Sequence, residues 1–157
     1  MSDRSAAAES RFVYVTYIKT TAERLWSALI DPEFTQQYWL GAHPEAEWKV
    51  GGAWKIVYPN GRVMDTGEIV AFEPGKKLAI KWRNEWMPEL KAEGFSLCTM
   101  EIEKAAGESM KLTVTHSIAR AESKLIGAVS GGWPQILSNL KTLLETGAVA
   151  LPPKEFK

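Results

Sequence analysis

The sequence predicts an α+β domain in which a curved antiparallel sheet is closed by one long helix at its C-terminal end. Three observations carry this prediction. The segment "SGGWPQILSNLKTLLETG" (130–147) has the apolar spacing of an amphipathic helix. Before it, β-rich segments separated by turn residues fill most of 45–118. Between the first strand and those segments lie two short helical stretches.

Taken in order, residues 1–10 are polar and alanine-rich and are expected to be flexible, as is the segment 148–157. The domain is expected over 11–147. "RFVYVTYIK" (11–19) is dense in β-branched and aromatic residues and reads as a strand. Its two faces, Phe12, Tyr14, Thr16, Ile18 and Val13, Val15, Tyr17, are both apolar, so cover is expected on both sides. "TTAERLWSALI" follows, with Thr20 or Thr21 as cap and Ala22, Leu25, Trp26 and Leu29 at helical spacing. "DPEFTQQYW" restarts a helix with Asp31 as cap and Pro32 at its first position.

Six further strands are then expected: "AEWKV", "AWKIVY", "RVMDTGEIVAFEP", "LAIKWRNEW", "GFSLCTMEIEK" and "SMKLTVTHSI". Gly51-Gly52, "PNG", "PGKK" and "AAGE" punctuate them, and Gly67 is a candidate bulge. Hairpin spacing makes a meander the economical arrangement. "ARAESKLIGAVS" (119–130) reads either as a short helix or as an irregular approach. In the last helix Trp133, Ile136, Leu137, Leu140, Leu143 and Leu144 form the apolar stripe. Ser138, Asn139, Lys141 and Thr142 take the other side, and Pro134 falls in the expected first turn, where it is tolerated. Gly131-Gly132 would let the chain turn sharply onto the sheet.

Composition narrows the function. Nineteen basic residues balance nineteen acidic ones, which argues against nucleic acid or an anionic membrane as partner. The single cysteine, Cys98, allows no internal disulfide, and the start lacks the apolar core of a signal peptide. A cytoplasmic protein is expected. Two histidines 73 positions apart and one cysteine offer no metal-ligand spacing, so neither metal nor cofactor is expected.

The segments "YVTYIKTTAERLWSALIDPEFTQQYWLG", "WKVGGAWKI", "DTGEIVAFEPGKKLAIKW", "LTVTHS" and "GGWPQILSNLKTLLE" carry a family resemblance. In that order they resemble the bacterial family related to the C-terminal domain of the activator of the 90-kDa heat-shock chaperone's ATPase. That family lies within the START-like (SRPBCC, birch-pollen-allergen-like) superfamily. The resemblance implies the helix-grip fold, a curved seven-stranded sheet around a C-terminal helix with two short helices after strand one. It also implies a chaperone or regulatory protein as partner, and a role in stress response. Superfamily relatives include lipid and hormone carriers, aromatic cyclases and chaperone activators, so the resemblance implies no catalytic motif.

Seven tryptophans permit an aromatic-lined cavity between sheet and helix. Strand parity places Trp54, Ile56 and Tyr58 together, and Ile80 with Trp82. Met100 shares a face with Cys98, which reads as a core thiol, and His116 shares one with Leu112 and Val114. With Trp39 at the mouth and Trp133 and Leu137 on the helix, these are the candidate ligand-binding residues. Binding of a small apolar or aromatic molecule is the leading expectation. The alternatives are a protein-interaction module and a cyclase- or hydrolase-like enzyme using His116 as a proton carrier. His43 reads as a solvated loop residue. Asp65 and Glu68 fall on opposite strand faces and so make no acid–base pair, and Ser96 has no base near it in the sequence.

Overall fold

The computed structural model describes residues 8–153. Seven strands form one antiparallel sheet: β1 (Ser10–Lys19), β2 (His43–Ala46), β3 (Ala53–Val57), β4 (Val63–Glu73), β5 (Lys77–Asn84), β6 (Ser96–Lys104) and β7 (Ser109–Ile118). Their spatial order is β1-β7-β6-β5-β4-β3-β2, so the expected meander runs from β2 to β7 and β1 joins its far end. Helices α1 (Ala22–Ile30) and α2 (Pro32–Tyr38) carry the chain from one sheet edge to the other. A single turn, α3 (Pro88–Lys91), precedes β6, and α4 (Lys124–Thr146) closes the sheet. The architecture is the helix-grip fold.

The short helices begin as their cap residues dictate. Thr21 accepts from Arg24 N at 3.1 Å and Asp31 accepts from Glu33 N at 2.9 Å, each satisfying an otherwise orphaned donor. Tyr38 Oη donates to Ala28 O at 2.7 Å and locks α2 against α1.

The structure departs from the sequence reading at several points. The second strand is His43–Ala46, and Trp48 lies in the turn that follows. The tight place in that turn is Gly52, where a Cβ would stand 1.8 Å from Glu47 O. His43, expected in solvent, opens β2 half-buried, with Nε2 2.9 Å from Glu45 Oε2. The last helix begins at Lys124, so Gly131, Gly132 and Pro134 lie inside it. Ser123 caps it, and Glu93 accepts from Ser123 Oγ at 2.5 Å and Lys124 N at 2.8 Å. That clamp and the buried stripe downstream override the helix-breaking tendency of glycine and proline.

Gly67 is no bulge; the register shifts fall at Ile56/Val57 and Ile69/Ala71. Instead it is a point of close approach, since a Cβ there would meet Lys81 O at 1.7 Å. Among the described residues nothing covers the outer face of β1: Val13, Val15 and Tyr17 are 49%, 43% and 54% exposed. Only the inner face packs on α4. Of the terminal segments, 1–7 and 154–157 lie outside the described residues. Within 148–153, Leu151 is tied to Asn139, whose Oδ1 accepts from Leu151 N at 2.7 Å and whose Nδ2 donates to Leu151 O at 3.0 Å. Asn139 is therefore fully buried, not on a solvated helix face.

Candidate functional site

The inner face of the sheet is built by alternation. On β3 to β7 the residues Trp54, Ile56, Leu78, Ile80, Trp82, Cys98, Met100, Leu112, Val114 and His116 are all buried in one cluster or beside it. From the helix side come Trp133 and Leu137, and Trp39 closes the end of α2. The structure thus brings nine of the ten sequence-predicted residues into the interior. Tyr58, just past β3, is half-buried and packs on its rim.

Register explains how four indoles come to share one space. Trp54 pairs with Gly67 and Gly67 with Trp82, so a residue without a side chain separates two tryptophans in the same row. Their rings lie 4.6 Å apart at 47° across that gap. Trp133 meets Trp82 edge-on at 5.9 Å and Trp39 edge-on at 5.5 Å. Such tilted and edge contacts suit the ring quadrupoles better than face-to-face stacking.

These rings fill the room they were expected to line. The void that remains, bounded by Trp39, Trp48, Trp54, Met100, Trp133 and Leu137 among others, is about 10 Å³. That is at the lower limit for one water molecule. The expected open cavity is therefore closed, because four indoles and an imidazole occupy the span between sheet and helix. Trp54, which lines this void, has its Nε1 buried without a hydrogen bond.

His116 is fully buried, and its two nitrogens are both engaged. Trp133 Nε1 lies 3.2 Å from Nδ1, and an indole can only donate, so Nδ1 is an acceptor. The proton of the neutral ring therefore sits on Nε2, which donates to Ser96 Oγ at 2.8 Å. Ser96 Oγ in turn donates to Trp82 O at 2.9 Å. Burial pushes the imidazole pKa down to about 3, in keeping with a neutral ring. A base does stand beside Ser96 in space, contrary to the sequence reading, but the hydrogen bond runs from histidine to serine. Neither lone pair nor proton is left for a substrate. This arrangement connects β5, β6, β7 and α4; it does not activate a nucleophile.

A second polar group is centred on Asp65, which the sequence marks only as making no acid–base pair with Glu68. Asp65 turns inward at the rim and accepts from Trp82 Nε1 at 2.7 Å and Asn84 Nδ2 at 3.3 Å. Burial raises its pKa to about 6, the indole and amide bonds opposing that shift in part. Parity alone signals Asp65, since it shares a row with the inward Asn84, but nothing local marks it as buried. Cys98 is a buried free thiol whose pKa burial pushes up. Among the described residues no helix is long and apolar enough to cross a membrane.

A seven-stranded sheet wrapped on a long final helix, with an interior closed by tryptophans, defines a START-like helix-grip domain. The chain belongs to the family described as Activator of Hsp90 ATPase homolog 1-like protein, whose profile matches residues 19–145. Among curated proteins nothing matches it. Among solved structures, a Mesorhizobium loti protein superposes with a TM-score of 0.73 at 25% identity, covering 87% of this chain and 97% of that one. An Hsp90 activator from Plasmodium falciparum gives 0.69 at 22% identity, with 86% and 96% covered. An Aha1 dimer from Colwellia psychrerythraea gives 0.69 at 17% identity, with 88% and 98% covered.

Proposed function

We propose that this domain is a protein-interaction module of the chaperone-activator type. The observation that carries the reading is the closed interior: with about 10 Å³ free, the molecule's recognition surface is its outside. The outer sheet face offers a groove of about 360 Å³ whose walls include Val70, Phe95, Leu97 and Lys81. Val70, Phe95 and Leu97 are 41%, 41% and 43% exposed. Lys81 and Arg83 stand 5.1 Å and 4.8 Å from the Phe95 ring centre, and Arg83 is itself paired with Glu85 at 2.6 Å, so Lys81 and the Arg83–Glu85 pair frame an apolar patch. The family assignment supports a heat-shock chaperone as the partner, with acidic and apolar groups meeting this frame.

The test is the ATPase rate of the 90-kDa chaperone from the same organism, measured with the wild-type domain and with Leu97→Asp. Stimulation or binding that the substitution removes is expected. A chaperone that neither binds nor responds would end this reading.

Trp54 supports a second reading, binding of a flat apolar molecule that carries one hydrogen-bond acceptor. Its indole N–H is buried without a partner and its side chain lines the void, and such a ligand would supply an acceptor while displacing neighbouring side chains. Titration of aromatic ketones, followed by tryptophan fluorescence, tests it. No saturable change up to the millimolar range removes it.

A further inference from the structure

The two edges of the sheet are built differently. β2 has four residues, one of them Pro44, which has no N–H to offer a further strand, and α2 packs beside it. β1 has ten residues, contains no proline, and exposes Val13, Val15 and Tyr17 on its outer face.

The polarity of the β1 edge follows from two bonds. Lys141 Nζ donates to Tyr17 O, and Glu145 Oε2 accepts from Lys19 N at 2.9 Å. Those two backbone groups face away from β7. In an antiparallel strand the N–H and C=O of a residue point to the same side, and the side alternates along the chain. The backbone groups of Arg11, Val13 and Val15 therefore face the free edge too. Helix α4 covers the edge at Tyr17 and Lys19, and among the described residues a window centred on Val13 stays open.

We propose that a second copy of this chain occupies this window, pairing β1 with β1 antiparallel about a two-fold axis at Val13. The register is set by the window, and the side chains suit it. Val13 faces Val13 of the second copy, and Arg11 faces Val15, with about six backbone hydrogen bonds in all. On the inner face Phe12 comes opposite Tyr14 in the closer, non-hydrogen-bonded positions, where aromatic pairs stabilise a sheet. Both rings are half-buried in the single chain and stack on each other at 6.3 Å, so each sits ready at the edge. Charges also agree: Arg11 comes opposite the apolar Val15 and no like charges face each other within the window. The interface is isologous and closed, so it ends at a dimer with a continuous fourteen-strand sheet, about twice the seven of one chain.

Light scattering after gel filtration, over a range of concentrations, tests this directly. The wild-type chain is expected to show a dimer mass that falls about twofold on dilution. Val13→Pro and Val15→Lys should both be monomeric with unchanged circular dichroism, since the N–H that proline removes at position 13 faces away from β7 and is not needed in the β1–β7 ladder. Register is read by cross-linking. In the proposed pair, Val13→Cys places two Cα atoms about 5.5 Å apart, within disulfide reach. It should cross-link on mild oxidation while Val15→Cys does not, and the buried Cys98 stays silent. A monomer at every concentration, a dimer unaffected by Val15→Lys, or cross-linking at position 15 in place of 13 would each overturn the proposal.

Discussion

His116 Nδ1 accepts the indole N–H of Trp133 at 3.2 Å, and this bond joins the last strand to the helix that closes the sheet. Trp133→Phe keeps most of the apolar area but leaves Nδ1 buried without a donor. The expected loss is about 1–3 kcal/mol, read from urea unfolding. A smaller loss than that of an ordinary surface substitution would show that the bond contributes nothing to α4 docking.

The interior has a pH signature of two opposed parts. His116 has a folded pKa of about 3, below its ordinary 6.5, so between these values the unfolded chain holds more protons. Its contribution is present above about 6.5 and is lost as pH falls. Asp65 has a folded pKa of about 6, above its ordinary 3.8, so its contribution is present at low pH and is lost as pH rises through that window. Asp65→Asn, which keeps an acceptor for Trp82, should remove the second part. Its stability relative to wild type should rise between pH 4 and 7 in a series of thermal melts. A difference that stays constant with pH would mean that Asp65 is ionised throughout.

Gly67 tests the aromatic row. A Cβ at that position would stand 1.7 Å from Lys81 O, so Gly67→Ala must shift the β4–β5 pairing and with it the Trp54–Trp82 contact. A destabilisation of about 3 kcal/mol is expected, with a change in near-ultraviolet circular dichroism. An unaltered melt would mean the two strands have room to part.

Asn139 holds the segment after α4. Asn139→Asp is nearly isosteric, but it replaces the amide donor that reaches Leu151 O and Tyr38 O. It should cost about 1–3 kcal/mol at neutral pH and expose residues 148–153 to limited proteolysis. Protection equal to that of the wild-type chain would show that the segment is held by other contacts.

Some of this was legible from residue order alone. Two-residue alternation put Trp54, Ile80, Trp82, Met100 and His116 on one face, because a strand cannot change sides without a bulge. The stripe from Trp133 to Leu144 marked the closing helix, and Thr21 and Asp31 marked the starts of the short ones. What alternation cannot tell is whether a face has anything opposite it. The outer side of β1 is as apolar as a covered one, yet among the described residues no second layer meets it, and only the strand order reveals β1 as an edge. Nor do local preferences decide where a helix begins when distant groups cap it. Glu93, thirty residues from Ser123, holds the start of α4 and carries it through two glycines and a proline. The pairs Ser96–His116 and Asp65–Trp82 stand twenty and seventeen residues apart and meet through register. The interior volume was beyond any reading of periodicity, since it is the small difference between the span of sheet and helix and the summed size of the rings within it. Composition and alternation determined which side chains face inward; packing of the folded chain alone decided that they leave almost no space between them.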